Sequence, residues 1–266
     1  MKPSEVGLPS AFKTGGTPSK HLNVAIRGYA GVGKTYTPLR TLSGPVIYLN
    51  GDRNNDLMLD RLRRKFNRDI FAPERYVTDY KGEVLRARGQ ELDDNAAISR
   101  TVRDRFRNEF ARALESSVRY IVIDQAAWLW GLIRIARWGK LIEIPQILYS
   151  QANWEMESYL HMAENTDKVI VWIAHIEEVW KEVIEPSPNG PPTKKRVPTG
   201  KFRTDGYKKF DTAMTVIIDM AYDPETNTRT AKIVKGISGM GKSFEGKEIT
   251  MPTLLAAATG VPETEW

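Results

Sequence analysis

The sequence predicts an α/β fold with a mostly parallel central sheet and helices on both faces. Six short, nearly continuous apolar runs rich in β-branched residues recur along the chain, and helical patterns separate them. A glycine-rich phosphate-loop pattern follows the first run directly, where an α/β fold turns from strand to helix.

Residues 1–20 are rich in Pro, Gly, Ser and Thr, which predicts an extended arm ahead of the folded region. The predicted strands are Leu22 to Ile26, Val46 to Leu49, Tyr120 to Ile123, Val169 to Ile173, Thr215 to Ile218 and Ala231 to Val234. Between the second and third, Ile98, Val102, Phe106, Phe110 and Leu114 recur every four residues among charged neighbours, the pattern of an amphipathic helix on a sheet. Two more helices are expected over 126–144 and 145–164. A single domain over 21–260 with a short C-terminal tail, 261–266, accommodates all of these elements.

Composition narrows the function classes. The chain has no cysteine, which removes disulfide frameworks and thiolate metal sites, and no apolar run of about 18 residues that a membrane span requires. The N-terminus lacks a signal-peptide pattern, so a cytoplasmic setting is the expectation. The net charge is +6, and the stretch from Lys194 to Lys209 accounts for it, with seven basic residues against Asp205 alone. A concentrated basic segment on a neutral body suggests a polyanionic partner.

The pattern G-x-x-x-x-G-K-[ST] runs through Gly28, Tyr29, Ala30, Gly31, Val32, Gly33, Lys34 and Thr35. Its glycines let backbone amides wrap a phosphate, the lysine reaches the β- and γ-phosphates, and the hydroxyl ligates magnesium. ATP and Mg2+ are therefore the expected cofactors, with Tyr36 completing the loop's exit. Pro38 lies about one turn into the following helix and should shorten it. The same pattern recurs at Gly236, Gly241, Lys242 and Ser243, but Gly246 interrupts any following helix there, so a turn is expected instead.

A phosphate loop needs an acidic partner at the end of another buried strand, and Asp124 after Tyr120 to Ile123 fits a magnesium-binding role. Gln125 follows it, and a neutral amide cannot take a proton from water. The second strand leads to Asp52, the expected general base, with Asp56 behind it, at the carboxyl edge where ligands of open α/β sheets gather. His175 ends the fourth strand and is placed to sense a γ-phosphate.

The P-loop after the first strand, Ile-Asp without a following glutamate, the carboxylate beyond the second strand and the polar end of the fourth together resemble RecA-like P-loop ATPases. The likeness is greatest to small phage-encoded nucleotide-binding and single-strand-annealing ATPases, and it runs from about Leu22 to Gly260. Asp52 stands where that family generally has glutamate, and Gln125 where it often has serine. The resemblance implies ATP hydrolysis, a homo-oligomer, and single-stranded DNA held by a mobile loop after the fourth-strand sensor. That loop would be 185–209. Its residues Lys194, Lys195, Arg196, Lys201, Phe202, Arg203, Tyr207, Lys208 and Lys209 interleave cations for phosphates with rings for bases. The resemblance also implies a cation supplied by a neighbouring subunit, for which Lys232, Lys235 and Lys242 are the candidates. A DNA motor, such as a helicase or packaging ATPase, and a nucleotide-gated binding protein without DNA are the competing classes. Arg61, Arg64, Lys65 and Arg68 read as a solvated helix face.

Overall fold

The computed structural model describes residues 21–51, 55–74, 76, 78–80, 84–85, 87–142, 144–185 and 193–266. The 1–20 arm and Asp52 lie outside them. The chain alternates strands and helices through its first two thirds: β1 (Leu22–Arg27), α1 (Tyr36–Thr41), β2 (Val46–Asn50), α2 (Asp56–Phe66), β3 (Ile70–Phe71), α3 (Gln90–Glu115), β4 (Tyr120–Asp124), α4 (Ala126–Trp138), α5 (Tyr149–Glu164) and β5 (Val169–Ala174). An antiparallel ribbon follows, β6 (Ile176–Glu185) with β7 (Thr193–Thr204), and then α6 (Phe210–Ala213), β8 (Val216–Asp223), β9 (Thr228–Lys235), β10 (Ser243–Glu245) and α7 (Met251–Thr259).

Eight strands form the central sheet in the order β10-β9-β8-β1-β5-β4-β2-β3. The strands from β8 to β3 run parallel, while β9 and β10 turn back antiparallel at one edge. Side chains alternate across the pleat, so a strand buried on both faces is apolar at most positions, and its polar members need buried partners. In β4, Tyr120 and Val122 join a core under α1, α2 and α7, and Ile121 and Ile123 join a second core under α3, α4 and α5. Helices thus cover both faces of the sheet, as the unbroken apolar runs require.

Helix α1 is only six residues long and contains Pro38 at its third position, where a missing amide hydrogen costs no intrahelical bond. The second glycine-lysine pattern is a turn between β9 and β10, closed by the Gly241 amide donating to the Ile233 carbonyl at 2.8 Å. Residues 261–266 are not a loose tail. Trp266 is buried in the first core, and its carbonyl accepts hydrogen bonds from Ser43 and Tyr120. Arg68 lies beyond the end of α2, where it donates to the Leu39 and Gly44 carbonyls, so the basic face predicted there loses one member. No described helix is long and apolar enough to cross a membrane.

Candidate nucleotide site

Strand β1 delivers the P-loop to the carboxyl edge of the sheet, with β8 on one side and β5 on the other. Gly28 has φ +154°, and a methyl group built on it would sit 2.3 Å from the Met220 carbonyl oxygen on β8. Only glycine allows the loop to leave the sheet this close to its neighbour. Lys34 is buried, and its Nζ donates to the Tyr29 carbonyl at 2.6 Å, so the loop closes around its own ammonium.

The decisive contact joins two segments far apart in sequence. Thr35 Oγ1 donates to Asp124 Oδ2 at 2.8 Å, which places the expected magnesium hydroxyl and magnesium carboxylate on one point. Asp124 is itself buried at the end of β4. Two hard oxygens beside a phosphate loop are the donor set Mg2+ takes, since that ion keeps waters and substrate phosphates for its other positions. The residues present fit the ion.

Three residues not anticipated from the sequence support this point. Tyr48, fully buried in β2, donates its hydroxyl to Asp124 Oδ2 at 2.9 Å, and Asn55 Nδ2 reaches the same oxygen at 3.1 Å and the Tyr48 hydroxyl at 2.7 Å. Asn50 stands opposite Asp124 in the β2–β4 register. The flanks of Asp52 are therefore both at Asp124. Arg229, on β9, was also missed: a methyl built on Gly33 would lie 3.5 Å from its Nε.

Strand β5 separates β1 from β4, with Ala174 opposite Arg27 and Ile173 opposite Asp124. His175 therefore leaves the sheet edge between the P-loop strand and Asp124. A cavity of about 510 Å³ opens beside the loop, lined by Gly31, Tyr36, Arg40, Arg61 and Arg229 among others. This volume lies in the range of small-molecule sites, and Tyr36 and the arginines give it an aromatic and cationic wall. Arg61 is exposed, as the solvated face predicts, and also lines this cavity at the phosphate loop. A larger cavity, about 1000 Å³, lies away from the loop between the end of α3 and α5 and carries none of the phosphate-binding groups.

The basic segment differs most from expectation. Residues 193–204 are strand β7, not a mobile loop, because an antiparallel partner, β6, satisfies their backbone. Lys194 pairs with Glu182 at 3.6 Å, Lys195 with Glu185 at 3.2 Å and Arg203 with Glu177 at 2.7 Å, so cross-strand glutamates offset part of the positive charge. Arg196, Lys201 and Lys208 are exposed. Phe202 is 42% exposed on the ribbon, and so is Trp180 at 51%, an aromatic the sequence reading passed over.

Tyr207 does not belong to the exposed set. It is 4% exposed, its ring packs 5.4 Å from that of Trp130, and its hydroxyl donates to Glu157 at 2.6 Å. Burial and the Glu157 carboxylate push its pKa up, while the same hydrogen bond, with help from Lys209, holds Glu157 below the usual carboxylate range. Lys235 is engaged too, donating to the Asp211 and Thr212 carbonyls at 3.1 and 3.0 Å. Lys232 and Lys242 are exposed on the antiparallel edge.

No protein-family model matches the chain, and no curated protein matches it. Among solved structures it is similar to a KaiC-like protein from the hyperthermophilic archaeon Pyrococcus horikoshii OT3. The two share 13% identity over 87% of this chain and 86% of that one, with a TM-score of 0.41.

Proposed function

We propose that the chain is a RecA-like ATPase that binds and hydrolyses Mg-ATP at the P-loop and uses the β6–β7 ribbon to hold single-stranded DNA, in annealing or recombination. The observation that carries the nucleotide half is the Thr35–Asp124 contact at 2.8 Å, directly after a buried P-loop lysine. Bound Mg2+ would neutralise charge on the transferred phosphoryl group. The protein's part is to hold Thr35 and Asp124 together, to present Lys34 to the phosphates, and to seat the base and ribose against Tyr36, Arg40 and Arg229. Asp52 is the proposed general base, since Gln125 cannot accept the proton.

Support for DNA comes from the ribbon's exposed cations and the two exposed rings, Trp180 and Phe202, on an element that leaves the sheet beside the P-loop. The Lys194, Lys195 and Arg203 pairs with glutamate favour a second reading, a nucleotide-gated protein whose ribbon grips a non-nucleic partner.

Nucleotide binding, measured by titration with a fluorescent ATP analogue and Mg2+, tests the first half. Lys34→Ala and Thr35→Ala are each expected to weaken it about 10- to 100-fold, the loss of one charge-assisted contact worth roughly 1.5–3 kcal/mol. Unchanged affinity in both would end the P-loop assignment. Anisotropy of labelled single-stranded DNA with the intact protein tests the second half, and no binding at low salt would leave the non-nucleic reading.

A further inference from the structure

The ribbon is tied at two points, one to the strand that feeds the P-loop and one to the loop itself. Arg27, the last residue of β1, immediately precedes Gly28. Its guanidinium is buried, with Nε and Nη2 on the two oxygens of Asp219 at 2.7 and 3.0 Å and Nη1 on Asp211 Oδ2 at 2.6 Å. A desolvated guanidinium is tolerable only with such partners, so its position is fixed by them.

Asp211 reaches in a second direction. Its Oδ1 accepts the Thr204 hydroxyl, and its Oδ2 accepts the Thr204 amide at 3.3 Å. Thr204 ends β7, opposite Ile176, the first residue of β6. The next amide, Asp205, donates to the His175 carbonyl at 2.9 Å, so both ribbon strands are tied off here. Lys235 clamps α6 from below through its bonds to the Asp211 and Thr212 carbonyls. One carboxylate therefore bridges the strand that feeds the P-loop and the base of the ribbon.

The second point lies at the loop itself. The Tyr29 ring meets the Phe202 ring edge-on, with centroids 6.3 Å apart, and the Tyr29 carbonyl accepts the Lys34 ammonium. A phosphate in the loop competes for that ammonium, and whatever moves Tyr29 bears on Phe202.

We propose that Asp211 is a positioning residue that couples the β6–β7 ribbon to the P-loop, so that nucleotide occupancy changes the conformational freedom of the ribbon's base. This rests on the reading of the P-loop as a nucleotide site; it does not require that the ribbon bind DNA. Coupling of this kind is reciprocal, so a ligand on the ribbon must shift nucleotide affinity by the same factor as nucleotide shifts the ribbon's affinity.

Hydrogen exchange of ribbon amides, with and without Mg2+ and a non-hydrolysable ATP analogue, reads the coupling directly. In the wild type, nucleotide should change protection near Thr204 by about 5-fold or more. Asp211→Asn and Thr204→Val should each reduce that response at Thr204 several-fold while still binding the analogue; the second removes the hydroxyl link and leaves the Arg27 ion pairs untouched. Asp219→Asn removes the bidentate partner of Arg27 but not the link to Thr204, so it should lower thermal stability and keep the response. Analogue binding without any ribbon response in the wild type would overturn the proposal. A response undiminished in both Asp211→Asn and Thr204→Val, or reduced equally in Asp219→Asn, would overturn it as well. Failure of the wild type to bind the analogue at all would instead remove the P-loop reading, and this proposal with it.

Discussion

Asp124 Oδ2 accepts hydrogen bonds from Thr35, Tyr48 and Asn55, and the geometry of the candidate metal position depends on all three. Thr35 and Asp124 were legible in the sequence because each sits in a motif with a fixed neighbour order. Tyr48 and Asn55 were not, since Tyr48 comes to Asp124 only through the parallel register of β2 on β4, and Asn55 only from its place at the start of α2. Groups that orient a metal ligand typically matter about 10- to 100-fold in metal affinity. Tyr48→Phe, which keeps the buried ring and loses the donor, should raise the Mg2+ concentration for half-maximal nucleotide binding by about 10-fold. An unchanged Mg2+ titration would show that Tyr48 only fills space. On the reading of Asp52 as general base, Asp52→Asn should leave nucleotide bound and slow turnover by about 10² or more. Normal single-turnover kinetics in that variant would assign water activation to another group.

At the scale of elements, the strands of the central sheet and the helices α3, α4 and α5 follow their hydrophobic periods closely, because burial on two faces leaves polar residues little place in β1, β4 or β5, where Asn23, Arg27 and Asp124 are the polar members. The ribbon broke that rule. Half of β6 is apolar, with Ile176, Val179, Trp180, Val183 and Ile184, but β7 sets Lys and Arg among Thr, Pro and Gly, a composition that reads as loop, and the two strands are held by mutual backbone pairing and cross-strand charge pairs. Those pairs change what mutagenesis should find. Replacing Lys194, Lys195, Arg196, Lys201 and Arg203 with alanine removes five cations, but three already have glutamate partners. With about 0.7 in salt slope per single-strand phosphate contact, the expected drop is nearer 1.4 than 3.5. Trp180→Ala should weaken single-strand binding by roughly 1–3 kcal/mol with the slope unchanged, as stacking releases few counterions. A full drop of five contacts in the salt titration would mean that the glutamates let go on binding.

At the scale of the whole molecule, the cations available to a neighbouring subunit are fewer than the sequence offered. Lys235 is held by α6, which leaves Lys232 and Lys242 exposed on the antiparallel edge, while Arg229 lies beside Gly33 within the same chain. Mixing Lys34→Ala subunits with Lys232→Ala/Lys242→Ala subunits tests a site shared between copies: recovered ATPase on mixing is expected from a shared site, and no recovery assigns the stabilising cation to the chain itself. The ribbon adds a different consequence. Because Ile176 and Thr204 face each other in register, the chain leaves the body and returns to it at a single place. Segments with adjoining ends are where chains accept insertion and replacement without rethreading the rest. A ribbon of another length or charge could thus be exchanged above its base at Ile176 and Thr204 while Asp124 and both cores, to which no described ribbon residue belongs, keep their packing.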